Sequence, residues 1–158
     1  MTSDYKTAGY LLGQQKAREL RAAAPGMTNT EVLDNEQYIP EWRAGKQKQG
    51  APVMYEGNGY RTLQTHDSTY NPSWTPYAER ALFGLMHTTN PAKAKPWIAS
   101  VGTSGMYALD ECYVDDAFVV WQQTFDGMNE YPASAVPGRW KAVGTLKDGV
   151  YTPYESVE

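Results

Sequence analysis

The chain has 158 residues, room for one ordinary domain or two very small ones in series, and carries a net charge of -4. That balance excludes the broad basic patch with which a nucleic-acid binder neutralises phosphates. The longest apolar runs, such as Ala117-Phe118-Val119-Val120-Trp121, fall far short of the about 20 residues that cross a bilayer, so no membrane partner is expected. Met1-Thr2-Ser3-Asp4-Tyr5 has neither a basic start nor an apolar stretch behind it, so no signal peptide is read there. Cys112 is the single cysteine, which removes an internal disulfide and a cysteine-based zinc cluster from consideration. The chain has 12 Tyr and 5 Trp against 3 Phe, and only 20% of its residues are charged. Rings with polar tips suit small cores and gripping surfaces, which points to a β-rich protein with a wet surface rather than a helical enzyme.

In chain order, Tyr5 to Ala24 reads as one helix, capped by Asp4 and stopped by Pro25-Gly26. Its apolar stripe of Tyr10, Ala17, Leu20 and Ala24 is weak and interrupted by Gly13, so the helix is expected to pack on another copy or another protein. A shorter helix follows, with Thr28 and Glu31 at capping-box spacing and Met27 and Val32 placed as a hydrophobic staple. It should end by Ile39-Pro40. From Trp42 onward helical periodicity gives way to short β-like runs between turn clusters such as Glu56-Gly57-Asn58-Gly59 and Tyr70-Asn71-Pro72-Ser73.

An internal near-repeat organises this second part. With Trp42 laid on Trp97, Val53–Tyr60 falls over Cys112–Val119, and Leu63–Asp67 falls over Gln122–Asp126. Each copy then has a loop, a proline (Pro76 or Pro132) and a closing segment, Ala81-Leu82-Phe83 or Gly138-Arg139-Trp140. The expected fold is therefore mainly β with an α-helical N-terminal leader and two small tandem three-stranded antiparallel modules. The leader covers residues 1–36, the modules 37–88 and 89–146, and a tail 147–158.

The first copy resembles the chitin-binding type-3 module, carbohydrate-binding module family 5/12. The resemblance rests on Trp42, the run Gly50 to His66, Trp74-Thr75-Pro76 and Ala81-Leu82-Phe83. It is similar in particular to the variant found in phage and prophage structural proteins, where a helical leader and a lead-in like Ile39-Pro40-Glu41-Trp42 precede the module. The second copy resembles the related form that closes on a Gly-x-Trp strand, here Gly138-Arg139-Trp140. Two positions depart from the pattern: Ala51-Pro52 stands for the usual Gly-Asp, and Phe83 for the closing Trp.

The resemblance implies a phage virion protein: a capsid decoration, head fibre or tail component that adheres to the host surface. It would reach the virion by assembly in the host cytoplasm. Its partners would be other virion proteins, met through the N-terminal region, further copies of the chain and a host cell-wall glycan. Two alternatives stand beside it: a purely structural virion component, and an accessory polysaccharide-binding module of a degradative enzyme. For the sugar site, Tyr55, Tyr60, Trp74 and Tyr77 are the candidate platform, with Gln64 and His66 as hydrogen-bonding partners of the hydroxyls. The same rings can instead form a small core, a reading that weighs more for Tyr55 and Tyr60 than for the loop residue Trp74.

No catalytic residue, cofactor or metal site is expected. His66 and His87 are the only histidines, and the turn acids Asp110-Glu111 and Asp115-Asp116 read as solvated. Ser104 in Gly102-Thr103-Ser104-Gly105-Met106 misses the nucleophile-elbow pattern at its last position. Cys112 reads as buried and inert.

Overall fold

A computed structural model describes the backbone of residues 2–155 and the side chains of residues 8–155. Among these residues the chain is mostly β, with ten strands in three sheets behind an N-terminal helix. It divides into two compact units, Met1–Leu85 and Met86–Glu158. No helix among the described residues is long and apolar enough to cross a membrane.

In the first unit, α1 spans Thr2–Ala23 and runs into a 3-10 turn at Ala24–Gly26, where Pro25 ends the helical ladder. The helix begins before Asp4, whose side chain lies outside those described. The weak stripe splits in two. Leu20 and Ala24 are buried, whereas Tyr10, Leu11 and Leu12 are each more than half exposed. Helix α2 (Asn29–Asp34) has the capping box expected from its sequence: Glu31 N donates to Thr28 Oγ1 at 3.2 Å, and Thr28 N to Glu31 Oε1 at 3.3 Å. Its Val32 and Leu33 are fully buried.

The chain then lays Pro40–Trp42 beside the sheet: Met54 N donates to Pro40 O and Trp42 N to Met54 O. Strands β2 (Pro52–Tyr55), β3 (Asn58–Thr62) and β5 (Phe83–Leu85) form a three-stranded antiparallel sheet, with β3 in the middle. Two further strands, β1 (Lys46–Gln47) and β4 (His66–Asp67), pair as a separate short ribbon. Glu56 and Gly57 turn the β2–β3 hairpin with φ of 49° and 81°, the backbone of a primed two-residue turn.

One side chain links helices and sheet by several hydrogen bonds. Arg61 on β3 donates to Ala24 O (2.7 Å), Met27 O (3.2 Å), Gly50 O (3.4 Å) and twice to Asn29 Oδ1. Its fork thus adds a second donor to the Ala24 carbonyl, which also accepts from Met27 N, and binds the Met27 carbonyl beyond the turn. Burial lowers the Arg61 pKa from its ordinary value. The leader expected at 1–36 therefore shares its interior with the sheet that follows.

The second unit is built on one five-stranded sheet in the order β10-β9-β8-β7-β6. Strand β6 (Lys95–Pro96) pairs parallel with β7 (Cys112–Val114), and β8 (Val119–Gln123), β9 (Trp140–Lys147) and β10 (Val150–Pro153) follow antiparallel. Residues expected as tail thus supply an edge strand. The cause is Asp148-Gly149, with φ of 52° and 78°, a primed turn that folds the chain back on β9.

The β9–β10 ladder approaches closely at Gly144. A Cβ there would lie 2.5 Å from Thr152 O and 2.7 Å from Tyr151 Cε2. Tyr151 covers the glycine and its hydroxyl donates to Val143 O. Gly144→Ala should therefore cost about 1–3 kcal/mol and loosen β10. Hydrogen exchange at the Tyr151 and Thr152 amides checks it; unchanged protection would contradict the close approach.

Candidate functional site

The sequence nominates six residues of the first unit, and the structure gives them different surroundings. Tyr60 is 1% exposed. The Arg80 guanidinium lies 5.9 Å from its ring centroid, and burial raises the phenol's pKa despite that charge. Tyr55, at the end of β2, is half-buried and meets the Trp42 ring edge-on at 5.9 Å. Gln64 Nε2 donates to Ala81 O at 3.1 Å. His66 Nδ1 lies 2.7 Å from Gln64 O, and its ring packs edge-on to Phe83 at 5.2 Å.

The loop residues present the largest aromatic surface. Trp74 is half-buried, Tyr77 is 58% exposed, and Tyr70, which the sequence reading left out of the site, is 94% exposed. The loop is braced from within. Asn71 N donates to Ser68 O, Trp74 N to Asn71 O and Ala78 N to Thr75 Oγ1. Arg80 bonds Tyr77 O at 3.1 Å and lies 5.2 Å from the Tyr77 ring. Trp74, Tyr77 and Tyr70 thus stand on a rigid loop, while Tyr60, Gln64 and His66 serve the interior or the backbone.

The second unit contains a cleft that sequence reasoning missed, about 510 Å³ in volume. Its floor is the cross-strand pair Tyr113–Trp121 on β7 and β8. Pro96 and Trp97 form one wall, and Pro132 to Ser134 the other. The Asp115-Asp116 turn closes one end. Ala133 N donates to the Tyr113 hydroxyl at 2.9 Å, which pins the second wall to the floor. Asp115 is fully engaged: Oδ1 accepts from Ala117 N (2.9 Å) and Val119 N (3.0 Å), and Oδ2 from Trp121 Nε1 (2.9 Å). The indole of Trp121 is thereby fixed in orientation. Asp116 is exposed at the rim.

Behind the cleft lies an aromatic cluster. Trp97 stacks on Tyr107 at 4.9 Å, Tyr107 stacks on His87 at 3.6 Å, and Tyr113 and Trp140 meet Trp97 edge-on. His87 Nε2 lies 2.7 Å from Gly105 O. Nearby Cys112 is 2% exposed and burial pushes its thiol up to about 12, so it is no ready nucleophile. The cleft's members come from four separate stretches of chain. Only the Tyr113–Trp121 pairing, readable from the register of one hairpin, carries a local signal. Compared with known proteins, the chain matches no family model and no curated relative.

Proposed function

We propose that this chain is a non-enzymatic phage virion protein that carries two tandem three-stranded modules of the carbohydrate-binding kind, the first of which adheres to a host cell-wall glycan. The observation that carries the reading is the braced loop of the first unit. It holds Tyr77 and Tyr70 outward beside the half-buried Trp74, where the C–H face of a sugar ring can stack. The tandem arrangement draws support from matching registers. Val53↔Tyr60 and Thr62↔Phe83 in β2-β3-β5 correspond to Tyr113↔Trp121 and Gln123↔Trp140 in β7-β8-β9. Attachment to other virion proteins, or to further copies, falls to α1, whose Tyr10, Leu11 and Leu12 are open to a partner. Many copies on one particle gain avidity, so each site can be weak.

A second reading, a structural component without glycan binding, is favoured by one observation: Tyr60, Gln64 and His66 are occupied by internal interactions.

Two variants separate the readings. Trp74→Ala should abolish retention on chitin or bacterial cell-wall polysaccharide and leave the melting temperature nearly unchanged. The wild-type site should show a Kd of about 1 mM to 1 μM, roughly -4 to -8 kcal/mol. Tyr60→Ala should instead cost about 3–5 kcal/mol of stability, as for other core aromatics. If wild-type protein displayed multivalently is not retained, the structural reading replaces the adhesive one.

A further inference from the structure

The cleft of the second unit asks for a different ligand from the loop of the first. Its apolar surface comes from the rings of Trp97, Trp121 and the largely buried Tyr113, with Pro96, Val114, Pro132 and Ala133 beside them. Trp97 and Tyr113 stand nearly at right angles, 72° between planes, and touch edge to face at 5.0 Å, so they form one continuous aromatic surface for a group in the cleft. The charged side chains of the lining are two carboxylates, Asp115 and Asp116, and its ten residues include no basic one. Ring faces carry negative potential, and these carboxylates add to it, so the cleft favours a cation.

The hydrogen bonding narrows the kind of cation. Both Asp115 oxygens already accept bonds from Ala117 N, Val119 N and Trp121 Nε1. The acid therefore supplies charge at the N–H edge of the Trp121 ring but offers few open acceptor sites. A primary ammonium or a guanidinium that passes the exposed Asp116 at the rim and reaches the rings would give up water and meet there only the engaged Asp115, and sugar hydroxyls face the same loss. A quaternary ammonium donates no hydrogen bond. Its charge is spread over methyl groups that pack on rings, so it loses little hydration and gains both dispersion and cation–π attraction. The receptor is also rigid before any ligand arrives. Asp115 fixes Trp121, Ala133 N holds Tyr113, and Tyr107 backs Trp97.

We propose that this cleft binds a quaternary ammonium group of the trimethylammonium type. The site goes beyond the glycan reading and is independent of it, since it lies in the other unit and uses none of the loop residues Tyr70, Trp74 or Tyr77.

The test titrates the full chain with choline, with phosphocholine and with 3,3-dimethylbutan-1-ol, the neutral isostere of choline, while the indole N–H signals are followed. Choline should shift Trp97 and Trp121 saturably, and the isostere should bind at least tenfold more weakly. Asp116→Lys, a change at the exposed rim, should weaken choline binding about fivefold or more without altering the melting temperature. Trp121→Leu should weaken it further, with folding checked by melting. Co-sedimentation with phosphatidylcholine vesicles identifies a lipid headgroup as the source; shifts with soluble phosphocholine but no sedimentation identify a headgroup on a soluble molecule or polymer. Equal binding of choline and its isostere overturns the proposal in favour of a plain apolar pocket. An N-acetylglucosamine oligomer that shifts the same indoles while choline does not overturns it in favour of a saccharide site. No shift with choline overturns it outright. Loss of glycan retention in Trp74→Ala would leave the choline result untouched, so the two readings fail separately.

Discussion

Removal of residues 1–36 should unfold the first unit, whereas removal of residues 1–12 should leave its melting temperature nearly unchanged. The longer deletion takes away Leu20, Val32 and Leu33, which are 8%, 0% and 0% exposed. Burial of each such side chain stabilises by about 1.5–3 kcal/mol, so the loss is about 5–9 kcal/mol. A domain's whole stability is about 5–15 kcal/mol. The deletion also strips Arg61 of the Ala24, Met27 and Asn29 acceptors and leaves a half-buried guanidinium short of partners, a further cost of about 1–3 kcal/mol or more. The shorter deletion removes Tyr10, Leu11 and Leu12, which are 65%, 56% and 54% exposed and add little to the fold. Circular dichroism melting and limited proteolysis check both arms. A cooperative transition at the wild-type temperature after removal of 1–36 would show that the leader is separable after all.

Trp140→Ala should be the most damaging single substitution in the second unit. Trp140 is 6% exposed, its ring lies 4.9 Å from Tyr113 and 5.4 Å from Tyr107, and its Nε1 donates to Tyr131 O at 2.9 Å. Truncation of a core aromatic costs about 3–5 kcal/mol, and here it also removes one of the two hydrogen bonds to the Tyr131 carbonyl. At about 4–8 °C per kcal/mol for a unit of this size, the melting temperature of the second unit should fall by at least 12 °C, roughly. Because Trp140 supports Tyr113, the same variant should lose Tyr113 packing in aromatic proton spectra before it melts. A fall of a degree or two would mean that the ring cluster is not the core.

The sequence reveals the local devices of this fold better than its assemblies. Thr28 and Glu31 announce a capping box and form one, and Glu56-Gly57 announces a hairpin turn and makes one. Mainly β structure behind a helix follows from the pattern of short runs and turns. Laying Val53–Tyr60 over Cys112–Val119 misses the matching ladder positions by one residue in the first strand and by two in the second. The ladders put Val53 opposite Tyr60 and Tyr113 opposite Trp121, spans of 7 and 8 residues, because the second turn is one residue longer. A slip of one residue exchanges the two faces of a strand, so it hides which rings correspond. Tyr60 and Trp121 hold the same ladder position, yet Tyr60 lies buried against Arg80 and Trp121 lines a cleft. Arg61 gives no local sign of its role, because most of its acceptors, at Ala24, Met27 and Asn29, lie more than thirty residues away. Asp148-Gly149 was a readable hairpin signal that the expectation of a tail passed over.

The order β10-β9-β8-β7-β6 puts the first and last strands of the second unit on opposite edges of its sheet. Four strand spacings of about 4.8 Å separate them, roughly 19 Å. A circularly permuted version, opened at the Asp115–Phe118 turn between β7 and β8, would need a bridge of about six extended residues to span that width. A shorter bridge would peel away β6, whose two residues make the weakest ladder in the sheet. In its natural order the chain enters along one margin and leaves along the other, so neighbouring segments can be threaded on either side without competing for the same edge.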